Sequence, residues 1–419
     1  MDCARIASKL REQIVQFSGE LSSGWPKVAR RFVAEMLYGI QARQSLRLTE
    51  ISRALEEKVS VKKNVERLSR QLGRWWLWGQ VTEKLLRMAA RRIGEWTLLI
   101  LDISDLSKKY AKRMEHMARV RDGSEKSEGR GYWTLEVIGT EVANPRVIPL
   151  YGRLYSHRAP DHQSENAEIQ RAIRIVSEAT QKRGVWVLDR GGDRRQLFHY
   201  LLDKDLHFIV RLTSERHLES ERRRESAIAL AEGCPSVFIE YIVKEEAKQE
   251  RTLRLEVGYR KVHLPGRPEL LTLVAVRGLG HEPLMVLTSL PVKRSRKSLW
   301  HVVAAYLSRW RVEETIRFLK QSYQLEDIRV LTYVRLQNMT ALLMAVAYFT
   351  SAYLGLKPRL RVLMRHMLRA ARRVFGIPDF RLYALADGIK HFLFSRSKAI
   401  RFDLSPPKPR FVQGLLFDI

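Results

Sequence analysis

The spacing of apolar and polar positions changes along the chain and divides it into regions of different predicted structure. Over residues 1–95 apolar side chains recur at helical spacing, and basic residues are frequent among the remaining positions. From Trp96 onward, short apolar runs such as "LLIL" and "VWVL" alternate with polar stretches, as buried strands do. After Leu325 helical spacing returns. The pattern therefore predicts an α/β protein that is preceded and followed by helical regions.

These changes of spacing predict the domain layout. The predicted segments are a helical, basic domain over 1–95 with a helix-turn-helix-like unit at 48–73, an α/β domain in two parts over 96–213 and 299–356, a β-rich insertion over 214–298, and a basic helical region over 357–419. The first part of the α/β domain reads as three strands, helix, strand, helix, strand, with its first helix from about Ser164 to Thr180. The first three strands are expected to form an antiparallel meander.

The charge of the chain indicates a polyanionic partner. The 419 residues include 75 Lys and Arg against 46 Asp and Glu, a formal net charge of +29 that is spread over the whole length. Nucleic acid is the expected partner, because its phosphates release counterions when basic side chains neutralise them. An anionic membrane surface is the competing polyanion.

The unit at 48–73 resembles a helix-turn-helix. Thr49 or Ser52 is a candidate start of its first helix, and Ser60 is a candidate cap of the second. The second helix would present basic residues to a DNA groove or backbone: Lys62, Lys63, Arg67 and Arg70. A plain helical hairpin has the same pattern, so the assignment depends mainly on the charge.

Three further features narrow the class of protein. The N-terminus "MDCARIASKLREQ" lacks a basic start followed by an apolar core, so we expect no secretory signal and a cytoplasmic location. The charge-free stretch over 338–356 approaches the length of a membrane span, but its polar residues favour a helix buried in a large core. Cys3 and Cys234 form neither a disulfide framework nor a zinc set, so a metal would need oxygen or histidine ligands.

The stretch "YLSRWRVEETIRFLK" carries a row of polar side chains at helical spacing. The row consists of Tyr306, Arg309, Glu313, Arg317 and Lys320. Opposite it lie apolar positions, Leu307, Val312, Ile316 and Leu319, so the stretch is predicted to be one amphipathic helix. The simplest interpretation of the row is a solvated face with ion pairs from Glu313 to Arg309 and to Arg317.

Two predicted strands end on an aspartate, Asp102 after "LLIL" and Asp189 after "VWVL". Functional groups of α/β sheets tend to lie at such strand ends. If Glu313 packs on the same sheet, three carboxylates converge, and such a cluster suits Mg²⁺ or Mn²⁺. Structural roles are the alternative to a metal site. Asp102 could cap a turn, and Asp189 could form an ion pair with Arg190 or Arg194.

These residues together resemble the DDE transposases of bacterial insertion sequences. Tyr306, Arg309, Glu313 and Lys320 match the Tyr-(2)-Arg-(3)-Glu-(6)-Lys signature of one group of these enzymes. The aspartates in "LDISDLSKKY" and "LDRGGDRR" match the other two acidic motifs. The resemblance covers most of the chain from about Thr97 to Leu356.

The resemblance implies a ribonuclease-H-like catalytic domain with a β-rich insertion and cut-and-paste transposition through a hairpin. Asp102, Asp189 and Glu313 would hold two Mg²⁺ or Mn²⁺ ions. Tyr306, Arg309 and Lys320 would hold phosphates of the terminal inverted repeat, and Arg317 joins them only because it shares their face. Target DNA and a second protomer are the further implied partners, with no membrane. Trp300 or Trp310 is a candidate to stack on a flipped base.

Several points stay open in the sequence. Ser104 replaces the Thr usual in this group, and Gly192 stands where an aromatic often occurs. Asp105, Asp193 and Glu314 are neighbouring carboxylates, although strand phase favours Asp102 over Asp105. A nuclease without strand transfer and a domesticated DNA-binding protein with a non-catalytic triad are the alternative functions. The basic helices around 359–373 suit DNA, a second protomer or solvent.

Overall fold

The computed structural model of the protein describes residues 3–108, 111, 113–121, 128–144, 146–221, 223–246, 249–355, 358–370 and 381–394. Within these ranges the chain is a mixed α/β protein with one large mixed sheet, which confirms the predicted class.

Helices occupy the N-terminal region as predicted. They are α1 Cys3–Leu21, α2 Lys27–Arg43, α3 Leu48–Leu55, α4 Val61–Leu72 and α5 Leu77–Ala90. The Ser60 hydroxyl accepts a hydrogen bond from the backbone N–H of Lys63 and so caps α4, as predicted. Helix α3 begins at Leu48, so neither Thr49 nor Ser52 starts it. The candidate helix-turn-helix therefore consists of α3, a short turn and α4.

The sheet begins with the predicted meander. Its first strands are β1 Leu98–Ser107, β2 Ala118–Arg121, β3 Glu128–Thr140 and β4 Ile148–Tyr155. Strand β3 pairs antiparallel with both β1 and β4, and the short β2, which the sequence did not predict, pairs with β3 at the edge. After α6 Glu165–Thr180 come β5 Val185–Leu188, α7 Arg195–Asp203 and β6 Phe208–Arg211. Strand β5 is parallel to β1, and β6 is parallel to β5.

The stretch predicted to be β-rich continues the same sheet. It contains β7 His217–Ser220, β8 Arg223–Ser226, α8 Ala227–Glu232, β9 Ser236–Glu246, β10 Gln249–Val262, β11 Leu271–Arg277 and β12 Leu284–Thr288. Strand β12 pairs antiparallel with β6, and the order then runs β12-β11-β10-β9. Strands β7 and β8 form a separate two-stranded sheet. The insertion is thus attached to the α/β core by backbone hydrogen bonds.

Helix α11 connects the N-terminal helices to the sheet. The remaining helices are α9 Arg296–Leu307, α10 Trp310–Ser322, α11 Tyr333–Ser351, α12 Pro358–Ala370 and α13 Leu382–Phe394. Helix α11 contacts β4 on one side and α2 and α5 on the other, so it is buried almost all round. The prediction that the charge-free stretch is a core helix is therefore confirmed.

No single helix among the described residues is long and apolar enough to cross a membrane. One bent pair, Tyr333–Gly355 with Leu360–Leu368 at 113°, passes the same test by length and composition. The C-terminal helices return to the N-terminal ones, since α13 contacts α1 and α2. Part of the predicted basic region, over 371–380 and 395–419, lies outside the described residues.

Candidate active site

The two predicted aspartates lie side by side at one edge of the sheet. Strand β1 pairs with β5 in parallel, with Leu98 opposite Val185 and Ile100 opposite Val187. Continuing this register by two residues places Asp102 beside Asp189. Parallel strands end at the same edge of a sheet, so the two carboxylates come from neighbouring strand ends.

Glu313 reaches this edge from α10, which packs on β1 and β3. The prediction of one helix over the polar row is wrong, because the chain leaves α9 at Leu307 and enters α10 at Trp310. The Ser308 hydroxyl bonds back to the Ala304 carbonyl at 2.8 Å. Around Ser308 the backbone bonds become tighter i→i−3 bonds, such as Arg309 N to Tyr306 O at 2.9 Å. Arg309 is therefore the residue before α10 rather than a residue inside a helix.

The carboxylates at this edge interact electrostatically. The pKa of Asp102 is raised to about 7, mainly by burial and also by the charges of Asp189 and Glu313, while Arg309 acts to lower it. The Arg309 guanidinium lies 2.5 Å from Glu313 Oε1 and 4.0 Å from Asp102 Oδ2. The predicted ion pair between Arg309 and Glu313 is therefore present. An arginine lies among three carboxylates and offsets part of their mutual repulsion.

The side chains are not arranged as a metal-ligand set. Among the described residues, no group of three or more His, Cys, Asp or Glu side chains is placed to hold a metal ion. Asp189 Oδ1 accepts the backbone N–H of Gly191 at 2.8 Å, and Glu313 faces Arg309. The donor atoms suit a hard divalent cation, but each of the three carboxylates has another partner in this conformation, since Asp102 Oδ1 accepts the backbone N–H of Ile103 at 3.0 Å.

A fourth carboxylate, Glu136, lies beside them and was not predicted from the sequence. It stands opposite Asp102 in the register of β1 and β3, and it is almost fully buried. The pKa of Glu136 is raised to about 8, mainly by burial and also by the charge of Asp102, while a hydrogen bond from Thr134 and the charge of Lys320 act to lower it. The sequence feature that could have indicated Glu136 is that it is the single acidic residue inside the apolar strand "YWTLEVIGT".

The other members of the polar row have separate surroundings. Tyr306 is buried at the end of α9. Lys320 Nζ lies 3.5 Å from Asp105 Oδ1 and 3.6 Å from Glu326 Oε1. Arg317 pairs with the buried Glu314, so the alternative ion pair with Glu313 is not the one formed. The row is therefore not a single solvated face.

Of the two arginines considered as ion-pair partners of Asp189, Arg194 has other partners. Arg194 binds Asn166 at 2.7 Å and pairs with Glu165 instead of pairing with Asp189. Asp189 caps the 3₁₀ turn Arg190–Gly192. A Cβ on Gly192 would lie 2.6 Å from the Leu188 Cβ, so this turn has no room for the aromatic residue that the resemblance led us to expect.

The two candidate tryptophans differ in their surroundings. Trp300 lies in α9 with its ring edge-on to Phe238 at 6.5 Å between centroids. Trp310 is half-buried at the start of α10, next to Arg309. Nothing in these positions selects one of them for stacking on a base.

The basic side chains of α4 fall into two classes. Lys62 and Lys63 are exposed on its first turn. Arg67 instead binds Glu35 at 2.6 Å and Glu57 at 3.2 Å. Since the Glu35 side chain is fully buried, Arg67 balances a charge inside the helical region.

We predict that the double change Lys62→Ala and Lys63→Ala weakens binding to duplex DNA and lowers the slope of log affinity against log salt by about 2, one unit for each lost phosphate contact. Arg67→Ala should instead lower the unfolding temperature, because it leaves Glu35 with one partner fewer. Salt titrations of fluorescently labelled DNA and thermal unfolding measure the two effects. An unchanged salt slope in the double variant would remove α4 from the DNA interface.

Comparison with known proteins adds a family match. Residues 154–349 match the family described as the Transposase DDE domain, a stretch that includes Asp189 and Glu313 and starts after Asp102. Over these residues, which are a little under half of the chain, the protein is therefore similar to DDE transposases, in agreement with the predicted resemblance and with the prediction of a DNA-cleaving enzyme. No curated protein matches the chain. A cryo-EM structure of the piggyBac transposase synaptic complex with hairpin DNA is similar at a TM-score of 0.45 and 11% identity, over 97% of this chain and 82% of that chain.

Proposed function

We propose that this protein is a cut-and-paste DNA transposase of the group with the Tyr-Arg-Glu-Lys signature. It cleaves DNA at terminal inverted repeats with Asp102, Asp189 and Glu313 and then joins the freed 3′ hydroxyl ends to target DNA. The proposed setting is the bacterial cytoplasm, where two protomers bridge two transposon ends.

The convergence of three carboxylates from distant parts of the chain carries this proposal. Asp102 and Asp189 occupy neighbouring strand ends, and both Asp189 and Glu313 are close enough to raise the pKa of Asp102. Like charges placed around the largely buried Asp102 are unfavourable unless a cation compensates them. A cluster of this kind is a candidate catalytic site on physical grounds.

The sheet supports the proposal of a ribonuclease-H-like core. The order β4-β3-β1-β5-β6 combines an antiparallel meander with two parallel strands, and both aspartates lie where β1 meets β5. The two pairing types meet at this junction. Ligand sites of α/β sheets commonly lie at such a change of strand arrangement.

Asp102, Asp189 and Glu313 are the proposed ligands of two Mg²⁺ or Mn²⁺ ions. Bound at carboxylate oxygens, such ions activate the attacking oxygen and stabilise the leaving oxygen of a phosphodiester. For Glu313 to act as a metal ligand, its ion pair with Arg309 must open. The same change frees the Arg309 guanidinium, which has the bidentate geometry that suits a phosphate.

Lys320 and Tyr306 are proposed to contact phosphates beside Arg309. Lys320 is partly exposed and lies between two acidic side chains, so its ammonium group can bind a phosphate as a point charge. Tyr306 is buried and would contact DNA only after the break between α9 and α10 moves. Arg317 is the weakest member of the set, since Glu314 already pairs with it.

The direct test is a reaction of the purified full chain with linear DNA that carries the terminal repeats flanking its gene, together with a target plasmid and Mg²⁺. We expect nicks at the repeat ends and repeat DNA joined to the plasmid, both absent when EDTA is added. Gel analysis of end-labelled repeat DNA separates cleaved from joined products.

The alternatives give different products. Cleavage without joined product would support a nuclease that lacks strand transfer. Sequence-specific binding without cleavage in either Mg²⁺ or Mn²⁺ would support a domesticated DNA-binding protein and contradict the proposed activity.

A further inference from the structure

We propose that Asp193 is a positioning residue for Asp189 and that its partners, Thr213 and Arg216, lie where the chain passes from the α/β core into the β-rich insertion. Through this contact the insertion holds the turn that carries the second catalytic carboxylate. The inference rests on the proposed function, because it assigns to Asp189 a role in metal binding.

Every oxygen of the Asp193 carboxylate is used. Its side chain is 0% exposed. Oδ2 accepts hydrogen bonds from the backbone N–H and the hydroxyl of Thr213, both at 2.7 Å. Oδ1 accepts from Nε of Arg216 at 2.5 Å, and Nη2 of Arg216 donates to the Asp193 carbonyl at 2.9 Å. All four donors belong to a segment of four residues that follows β6.

Such a contact set is specific for a carboxylate. A buried carboxylate is unfavourable unless charged and polar donors satisfy both oxygens, which is the case here. The Arg216 guanidinium also lies over the Phe198 ring at 5.8 Å, so α7 helps to orient it. The arrangement places Asp193, Arg216 and α7 in one packed unit between the core and the insertion.

The turn between Asp189 and Asp193 links the positions of these two side chains through hydrogen bonds of its backbone. The Gly192 N–H donates to the Asp189 carbonyl at 3.0 Å, and the Asp193 N–H donates to the Arg190 carbonyl at 3.1 Å. The Gly191 N–H donates to the Asp189 carboxylate itself at 2.8 Å. Because each step of the turn is hydrogen-bonded, a shift of Asp193 moves the Asp189 side chain.

The opposite side of the turn is tied to the core. Nε of Arg194 donates to the Gly191 carbonyl at 2.7 Å, while its guanidinium binds Asn166 at the start of α6. The turn is therefore held on one side by Arg194 and Asn166, and on the other side by the contacts of Asp193 with the segment that follows β6. Partners that orient a ligand are often worth about ten- to a hundredfold in metal affinity.

The experiment uses the full chain and the change Asp193→Asn, which keeps the shape but turns one acceptor into a donor that faces other donors. Thr213→Val removes one donor and keeps the carboxylate, and Thr213→Ser restores the hydroxyl. The matched control is Asp203→Asn, since Asp203 also ties α7 to the insertion through Arg267, at 2.8 Å, but lies away from the turn. Asp189→Asn is the reference for complete loss.

We expect Asp193→Asn to weaken Mn²⁺ binding, measured by electron paramagnetic resonance, by about tenfold. The Mg²⁺ concentration at half-maximal cleavage should rise by a similar factor of about ten, with DNA affinity in Ca²⁺ unchanged. Thr213→Val should act in the same direction by a smaller factor. Thr213→Ser and Asp203→Asn should match the wild-type protein in metal affinity.

Wild-type Mn²⁺ affinity in both Asp193→Asn and Thr213→Val would overturn the inference. So would an equal loss in Asp203→Asn, because the effect would then follow from loosening of the insertion in general. If Asp193→Asn does not fold, the comparison of Thr213→Val with Thr213→Ser decides. Retained Mn²⁺ binding and cleavage in Asp189→Asn would instead contradict the proposed function.

Discussion

Replacing Glu313 by Gln is expected to lower DNA cleavage about a thousandfold or more, the equivalent of about 4 kcal/mol in the activation barrier, while DNA binding is retained. The amide keeps the size of the side chain but removes the negative charge that a divalent cation requires. Asp189→Asn and Asp102→Asn should have effects of the same order. Single-turnover cleavage of end-labelled repeat DNA measures the loss, and binding in Ca²⁺ shows that the complex still forms.

The adjacent Glu314 provides the matched control. It is buried and pairs with Arg317, so Glu314→Gln should affect stability and leave the cleavage rate of the folded protein near that of the wild type. The opposite result, in which Glu314→Gln abolishes cleavage and Glu313→Gln does not, would assign the third acidic residue to Glu314. Unaffected cleavage in all of these variants would contradict the carboxylate site.

Replacing Asn338 by Leu is expected to destabilise the protein by about 3 kcal/mol, because it removes the side-chain partner of one backbone N–H and two backbone carbonyls in a largely buried position. The Asn338 side chain accepts from the Trp78 N–H at 2.7 Å and donates to the carbonyls of Leu72 and Arg74 at 2.7 and 2.8 Å. These groups lie at the end of α4 and the start of α5, where helices leave backbone groups unpaired. Urea unfolding measures the change in free energy.

Thr340→Val is the control for this prediction. Thr340 lies on the same helix and is also buried, but its hydroxyl bonds only to the Leu336 and Gln337 carbonyls within α11. Its replacement should cost less than about 1 kcal/mol, because the helix still pairs those carbonyls. Equal destabilisation by the two changes would mean that Asn338 contributes only as a buried polar side chain and does not join the N-terminal helices to the core.

Most strands with a clear apolar pattern were predicted, although β9, "SVFIEYIVKEE", was missed together with strands that lack such a pattern. The runs "LLIL" and "VWVL" became β1 and β5, and Ser164 precedes α6 as expected. Strands β7 and β8, "HLES" and "RRES", are polar at every position except Leu218, and they form a small sheet outside the main one. Because these two strands pair with each other and not with the main sheet, they show little of the apolar alternation by which a strand is recognised in a sequence.

The helix over the polar row was predicted as a single element because periodicity continues across a short break. The positions that were expected to be apolar are indeed buried, such as Val312 and Ile316. At the break the Ser308 hydroxyl donates to the Ala304 carbonyl, and the backbone changes locally to i→i−3 bonds. Such a change leaves no trace in the spacing of apolar residues.

The sequence by itself determined the local features of this protein, namely the apolar runs that end in Asp102 and Asp189, the helical row around Glu313 and the basic charge. Only the tertiary structure decided that Glu136 lies opposite Asp102 and that Asp193 binds the insertion. The physical reason is that periodicity reflects which face of an element is buried, whereas contacts between side chains depend on register and on segments far apart in the chain.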